Sequence, residues 1–192
     1  DGEFAPSNWG MTLGFSGPAQ NGPTVRESQQ MSGGNPAAFL EIVYTMPAGP
    51  ASLHVLHADR VATYDPSQQG PLLVVDFGAE CRLTLGIATA RAWVFPLIEQ
   101  GGRRFRHYDN NYCDDSRPGV WSRTLQRVAV TADEFNQMDG PDCGQVTCKP
   151  DFSVAGAPLR FGFAVVMSTP FGTPANSTTL GIDNWNATAW RR

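Results

Sequence analysis

Short runs in which apolar and polar side chains alternate recur along this chain of 192 residues. Roughly eight to ten such runs are present, and none continues with the longer period of an amphipathic helix, so the pattern indicates half-buried strands. The 20 glycines and 15 prolines favour tight turns between the runs. The sequence therefore predicts an all-β fold, a two-sheet β-sandwich of jelly-roll type. A capping box at residues 131–134 (TADE) predicts one short helix that continues to Met138.

The chain length fits one domain, since single β-sandwiches often reach about 200 residues. We assign residues 5–192 to this domain and set aside residues 1–4 (DGEF), which resemble the remnant of a cloning site. No apolar run approaches the ~20 residues that span a bilayer, so no membrane insertion is predicted. A net charge of −4 gives no reason to expect a nucleic-acid partner.

Four cysteines are present, namely Cys81, Cys113, Cys143 and Cys148. Four cysteines allow three pairings. Cys143 and Cys148 bracket a small loop that a disulfide could close, which would leave Cys81 and Cys113 to form a long-range bridge. Zinc is the competing interpretation, but no Cys-x-x-Cys spacing occurs and no histidine lies near the second pair. The sequence thus favours two disulfides.

The chain also carries two sequons for N-glycosylation, at Asn176 and Asn186. Such triplets arise by chance, but an even cysteine count is typical of proteins from oxidising compartments. Together these features predict a secreted, extracellular protein. Both asparagines are candidate glycosylation sites.

Several motifs together resemble laminin-type IV-like domains, which are extracellular jelly rolls related to galactose-binding-like carbohydrate-binding modules. The run GGNPAAFL at residues 33–40 is similar to the signature that opens those domains, apart from two alanines where the family tends to have glycine. The remaining similarities follow along the chain: Tyr64-Asp65-Pro66 with Gly70, residues 74–77 (VVDF), Trp121 with residues 131–135, residues 151–153 (DFS) with Gly156, residues 160–163 (RFGF) and Ile182-Asp183-Asn184.

The resemblance extends over about residues 8–190, so it concerns the whole domain. It implies a secreted or matrix-associated module, often without enzymatic activity. In related jelly rolls, a strand-end aspartate near the C-terminus joins backbone carbonyls to hold a structural calcium ion. Asp183 and Asn35 are the candidate ligands here, with Asn184 nearby, because Ca²⁺ prefers oxygen donors. The alternative is that Asp183 and Asn184 form a turn or bulge and bind backbone amides.

The most polar stretch of the chain, residues 101–119, is the candidate ligand-binding loop. Sugar recognition combines flat aromatic faces with side chains that donate and accept hydrogen bonds. This loop offers both kinds of group, in Tyr108, Tyr112, Arg106, Asp109, Asn110 and Asn111. The competing interpretation is a solvated loop whose arginines and aspartates pair weakly. One or two exposed tryptophans elsewhere could add a stacking platform.

No catalytic motif stands out in the sequence. His54 and His57 are three residues apart on a predicted strand, so they point to opposite faces. A lyase built on His107 and Tyr108 is conceivable, but neither a Gly-x-Ser-x-Gly motif nor a Glu-x-Asp-x-x-Glu motif occurs. The sequence predicts a non-catalytic module that binds an extracellular glycan or protein. The alternatives are a structural or adhesive subunit of an extracellular assembly and a polysaccharide lyase or hydrolase.

Overall fold

The computed structural model describes residues 4–16, 22–84, 91–107, 112–113, 118–140, 148–170 and 172–191. Eleven strands lie within these ranges: β1 (Trp9–Ser16), β2 (Thr24–Gln30), β3 (Phe39–Met46), β4 (Ala51–Tyr64), β5 (Leu72–Thr84), β6 (Arg91–Gln100), β7 (Arg103–His107), β8 (Ser122–Val130), β9 (Phe135–Asp139), β10 (Leu159–Thr169) and β11 (Asn176–Arg191). One α-helix, α1 (Pro66–Gln69), accompanies them, with 3₁₀ turns at Pro6–Asn8 and Ala132–Glu134.

The strands form the two-sheet sandwich that the sequence predicts. A six-stranded sheet has the order β1-β4-β10-β6-β7-β9, and a five-stranded sheet has the order β2-β3-β11-β5-β8. Every pairing in both sheets is antiparallel. The main hydrophobic core lies between them and draws side chains from both, such as Val55, Phe163, Ile42 and Ile182. No helix in the described ranges is long and apolar enough to cross a membrane.

Phe4 belongs to this core, although the sequence analysis set residues 1–4 aside. Its side chain is 1% exposed and stacks on Trp9 with 5.8 Å between the ring centroids. Phe4 therefore contributes to the described core. The assignment of residues 1–4 to a cloning remnant stays a prediction.

The short helix lies elsewhere than predicted. The capping box at Thr131 and Glu134 is present, but it starts only a 3₁₀ turn, and the chain continues as β9 from Phe135. Phe135 is fully buried between the sheets, so tertiary packing overrides the local helix signal. The α-helix forms instead after Asp65, whose side chain accepts a hydrogen bond from the Ser67 N–H.

Pro96 lies within β6, an interior strand of the six-stranded sheet, where a proline is unusual. The pairing of β6 with β7 covers Leu97 to Gln100, so the ladder on that side begins immediately after the proline. On its other side Pro96 is paired with Phe163 of β10. The missing N–H is tolerated because the ladder with β7 ends there.

A disulfide joins Cys81 on β5 to Cys113, which confirms the long-range bridge. Cys148 is also disulfide-bonded. Cys143, its predicted partner, lies outside the described residues. The Cys81–Cys113 bridge attaches the predicted ligand loop to the five-stranded sheet. It therefore holds residues 112–113, one of the three stretches of that loop that the structure describes.

Candidate functional site

The turn formed by residues 33–38, hereafter the GGNP turn, folds over the strand pair β11 and β5. Asp183 is 2% exposed beneath it. One carboxylate oxygen of Asp183 accepts the backbone N–H of Asn35, and the other accepts the N–H of Asn184 at 2.7 Å. The structure thus brings Asn35 and Asp183 together, as the sequence predicts, although 148 positions separate them. The carboxylate closes the turn as a hydrogen-bond acceptor.

Side-chain amides add further hydrogen bonds to this contact between Asp183 and the GGNP turn, hereafter the latch. The Nδ2 groups of Asn35 and Asn184 both donate to Oε2 of Glu80, at 2.8 and 3.0 Å. Asn184 also donates to the backbone oxygen of Asn35. Asn184 has a φ of 50°, a left-handed conformation that asparagine tolerates better than most residues. The bulge at residues 183–186 of β11 turns these groups towards the GGNP turn.

A stacked arginine holds the other flank of the GGNP turn. The guanidinium of Arg82 lies 4.7 Å from the ring centroids of both Phe39 and Trp121. Arg82 and Trp121 each donate a 3.0 Å hydrogen bond to the backbone oxygen of Gly33. Gly34 has no room for a side chain, because a Cβ would lie 2.6 Å from the Asp183 carboxylate. The turn is therefore fixed from both flanks and from below.

The donor set at this turn fits calcium poorly. Ca²⁺ takes about six to eight oxygen ligands, whereas Asn35 presents N–H groups to the two carboxylates. Oxygens of Asp183, Ala37 and Ala38 do converge within 3.0 Å of the point where a Cβ on residue 34 would lie. That point is one bond length from the Cα of Gly34, which is too close for an ion. Among the described residues, no group of three or more His, Cys, Asp or Glu side chains could hold a metal ion. Calcium binding at Asp183 stays a prediction.

Chelation tests the calcium prediction directly. A latch closed by N–H donors needs no ion, so we expect the same melting temperature, within about 1 °C, with EDTA and with excess Ca²⁺. Differential scanning fluorimetry measures both. A fall of several degrees in EDTA, restored by Ca²⁺ and not by Mg²⁺, would instead establish a calcium site.

Beside the latch, on the outer face of the five-stranded sheet, lies a groove of about 230 Å³, hereafter the amide groove. Gly78 of β5 forms its floor. Gln126 of β8 and Asn186 of β11 are the residues directly opposite Gly78 on the two neighbouring strands. A Cβ on Gly78 would lie 2.7 Å from Nδ2 of Asn186, so the glycine makes room for the Asn186 amide, which lies over it and donates to the backbone oxygen of Asn184 at 2.9 Å.

Two carboxylates stand at the ends of the amide groove. Asp76 and Glu80 lie two residues before and after Gly78, on the same face of β5. The carboxylate of Asp76 accepts hydrogen bonds from the Ala129 N–H and from Nε1 of Trp190, at 2.6 and 2.7 Å. Glu80 is held by the latch amides through one oxygen. Both carboxylates are therefore oriented before any ligand arrives.

Trp190 provides an exposed aromatic face next to the Asp76 end of the groove. Its side chain is 51% exposed, and its indole N–H is fixed by Asp76. Gln126 is exposed, and its side-chain amide forms no hydrogen bond with the residues that the structure describes, although its backbone oxygen accepts one from Arg127. The groove thus combines an aromatic platform, a free amide and two oriented carboxylates. The sequence feature that could have indicated this groove is Gly78, because a glycine inside a strand often marks a place where a ligand approaches the backbone.

The predicted ligand loop is only partly described. Tyr112 is 55% exposed and pairs with Trp93 in an isolated bridge. Arg106 is 7% exposed, and its guanidinium lies 4.6 Å from the ring centroid of Phe95, so its contacts are within the fold. Tyr108, Asp109, Asn110 and Asn111 lie outside the described residues. Binding at this loop stays a prediction.

The two sequon asparagines have different surroundings. Asn176 is 8% exposed, and its side chain donates to the Pro174 backbone oxygen and accepts from the Thr178 hydroxyl. Asn186 is exposed on the wall of the amide groove. Glycosylation of either residue stays a prediction. In the folded state, the accessible sequon is the one at the groove.

The histidines have structural surroundings. His107, the candidate base of a lyase, is 7% exposed and packs edge-to-face on Phe135. Burial lowers its pKa, partly offset by Glu134, 3.7 Å away. His57 is fully buried and stacks on Phe163 with centroids 4.5 Å apart. Neither ring is an accessible general base.

His57 forms part of a cluster of polar side chains between the sheets, together with Glu27 and Tyr44. Its Nε2 lies 3.3 Å from Oε1 of Glu27, which comes from β2 of the other sheet. Burial lowers the pKa of His57 to about 3 and raises that of Glu27 to about 7. It also raises the pKa of the Tyr44 hydroxyl, with a further contribution from Glu27. At neutral pH this cluster therefore holds a neutral imidazole and a half-protonated carboxyl group.

The similarity of this chain to known proteins is distant. No family model matches the chain, and no curated protein does. A solved structure is similar, from work titled "Structural basis for the promiscuous specificity of the carbohydrate-binding modules from the beta-sandwich super family". The TM-score is 0.44 at 10% identity, over 93% of this chain and 57% of the other. The chain thus spans little more than half the length of that protein.

Proposed function

We propose that this chain is a secreted, non-catalytic module of the laminin-type IV-like kind that binds carbohydrate in the amide groove. One observation carries the proposal: a shallow groove over β5 is lined by the amides of Gln126 and Asn186 and by the oriented carboxylates of Asp76 and Glu80. Vicinal sugar hydroxyls both donate and accept hydrogen bonds. Gln126 and Asn186 can satisfy both directions, while Asp76 and Glu80 accept.

The size and the aromatic platform support a saccharide as the ligand. A volume of about 230 Å³ is below the range of roughly 300–1,000 Å³ typical of drug-sized pockets. It suits the recognition of one or two sugar units at a time. The exposed ring of Trp190 can stack on the C–H face of a neighbouring sugar, since aromatic rings present a large apolar surface with a fixed polar edge.

The spacing of the two carboxylates supports binding without hydrolysis. Asp76 and Glu80 are four residues apart on β5, which is about 13 Å along a strand at about 3.3 Å per residue. Glycosidases hold their two carboxyl groups about 5–5.5 Å apart when retaining and about 6.5–9.5 Å apart when inverting. The two residues are therefore farther apart along the strand than the carboxyl groups of either kind of glycosidase pair, which favours binding over hydrolysis.

Secretion is supported by the disulfides. Cys81 and Cys113 are bridged, and Cys148 is bridged as well. Disulfides of this structural kind persist in oxidising compartments and are rare in the cytosol. An extracellular glycan is accordingly the partner that we propose.

A glycan array followed by isothermal titration with the best-bound oligosaccharide tests the proposed function. We expect Gln126→Ala and Trp190→Ala each to weaken binding about tenfold, the loss of one hydrogen-bonding or stacking contact. Gln68→Ala is the matched control, because Gln68 is an exposed glutamine on α1, away from the groove. It should bind as the parent protein does.

Tyr112→Ala discriminates the groove from the predicted loop. Full binding by this variant, together with the losses in the groove variants, supports the amide groove. The reverse pattern would move the site to the loop around Tyr112. No binding of any glycan by the folded parent protein would overturn the proposed function.

An adhesive role is the second candidate. Met11 and Leu13 of the edge strand β1 are 43% and 48% exposed, and exposed apolar edge strands favour pairing with another chain. Concentration-dependent association in sedimentation velocity, abolished by Leu13→Lys and unaffected by Gln126→Ala, would support this role. Monomeric behaviour up to high micromolar concentration would exclude self-association through β1.

A further inference from the structure

A second groove lies on the opposite side of the sandwich, on the outer face of the six-stranded sheet. Its volume is about 180 Å³. Three arginines surround it, Arg60 from β4, Arg104 from β7 and Arg160 from β10, and we refer to it as the arginine groove. Glu99 of β6 is the one carboxylate among its described lining residues. This concentration of positive charge stands out in a chain whose net charge is −4.

The carboxylates near the arginine groove are already engaged. Glu99 accepts a hydrogen bond from Arg160 through one oxygen and from Arg104 through the other, both at 3.3 Å. Arg104 also donates to Asp139 at 2.9 Å. Among the residues that the structure describes, these three arginines therefore share two carboxylates, and one positive charge has no carboxylate partner.

The uncompensated charge lies on Arg60. Arg60 is exposed and forms no ion pair within the described part of the chain. The side chain of Arg160 is 45% exposed and uses one N–H group on Glu99, so its other donors make no hydrogen bond with the described residues. Both guanidinium groups line the same groove and have donors left for an anionic group.

Small residues keep the floor of the arginine groove flat. Gly10 and Ala58 lie directly opposite each other on β1 and β4, and Ala58 is paired with Gly162 on β10. A Cβ at Gly10 would lie 3.1 Å from Nε of Arg60, so the glycine gives this guanidinium room above the sheet. A Cβ at Gly162 would lie 1.8 Å from the backbone oxygen of His57. The backbone packing therefore excludes side chains at the centre of the floor.

We infer that the arginine groove binds the anionic group, carboxylate or sulfate, of an acidic saccharide. The planar fork of a guanidinium matches both groups in a bidentate manner, and such charge-assisted hydrogen bonds are about twice as strong as neutral ones. The saccharide part of this inference rests on the proposed function. The anion part rests on Arg60, Arg160 and the occupied carboxylates alone.

Titration with three trisaccharides tests the inference: an uncharged one, a uronate and a sulfated one, each at low and at physiological salt. The amide groove on the opposite face can bind the same sugars, so the arginine variants are compared in a Trp190→Ala background, which weakens that groove. In this background we expect Arg60→Gln to weaken binding of an acidic trisaccharide about tenfold and Arg60→Gln with Arg160→Gln about a hundredfold. Binding of the uncharged sugar should not change. The acidic sugar that shows the arginine dependence identifies the group, and its affinity should fall as salt increases.

Arg26→Gln is the matched control, because Arg26 is an exposed arginine on β2 of the other sheet. It should leave all three affinities unchanged. Arg60→Gln removes no described hydrogen bond or ion pair, so the variant should fold as the parent does. Circular dichroism checks this. Equal affinities of parent and Arg60→Gln for both acidic sugars would overturn the inference while leaving the proposed function intact.

Failure of the proposed function gives a different result from failure of the inference. If no trisaccharide binds, the proposed function and the saccharide part of the inference both fail. Sodium glucuronate and sodium sulfate then test the anion part by ¹⁵N NMR of the arginine Nε–Hε groups. Shifts of the Arg60 and Arg160 signals, absent with matched sodium chloride, support an anion site. Unmoved signals overturn it.

Discussion

Replacing Asp183 with asparagine should lower the free energy of unfolding by about 3–5 kcal/mol. Both oxygens of this buried carboxylate accept backbone N–H groups, from Asn35 and Asn184. An asparagine offers one oxygen only, so its own amide would face an N–H group. One charge-assisted hydrogen bond is lost, and a buried donor is left without an acceptor. Urea denaturation of the variant measures the loss.

Glu80→Gln is the control for the latch. Glu80 accepts two side-chain amides through one oxygen, and a glutamine keeps such an oxygen. Glu80 is also half-buried rather than buried. We therefore expect a loss below about 1 kcal/mol. An equally small loss for Asp183→Asn would show that the GGNP turn is held mainly by Arg82 and Trp121.

Glu27→Gln should stabilise the protein at pH 8 by up to about 3 kcal/mol and have almost no effect at pH 4. Burial raises the pKa of Glu27 from 4.5 to about 7, so the folded state keeps a proton that the unfolded state loses. The stability that this proton contributes is complete below pH 4.5 and is lost as the pH rises to about 7. A glutamine mimics the protonated carboxyl group at every pH. Equal effects at both pH values would contradict this account.

His57 acts in the opposite direction in the parent protein. Burial lowers its pKa from 6.5 to about 3, so its contribution to stability is complete above pH 6.5 and is lost as the pH falls to about 3. Between pH 4.5 and 6.5 the contributions of Glu27 and His57 have opposite slopes and largely cancel. Glu27→Gln should therefore show a stability that falls steadily below pH 6.5. Chemical denaturation at five pH values measures both profiles.

The alternating strands were predictable because their apolar faces are buried in one core. Strand β2 was not, since its inward positions include Glu27 and Gln29, and backbone pairing with β3 holds it at a sheet edge. Strand β7 lies in the polar stretch assigned to the ligand loop. These strands are specified by their neighbours in the sheet rather than by their own pattern. Local sequence contains little of that information.

The residues of the GGNP turn and of the two grooves were likewise predictable only in part. Asp183 and Asn35 were named together because the resemblance to related jelly rolls implies a shared calcium site. The amide groove was missed because it needs the register of three strands, which aligns Gly78 with Gln126 and Asn186. The arginine groove needs five strands, β1, β4, β6, β7 and β10. Residues that are far apart in sequence converge only once the pairing is known.

The most direct test of the amide groove is a ¹⁵N-labelled titration with the best-bound oligosaccharide, followed through side-chain signals. We predict saturating shifts for the amides of Gln126 and Asn186 and for the indole N–H of Trp190. The Gln68 amide should not move. Saturating shifts around Tyr112, with the groove signals unchanged, would contradict the account.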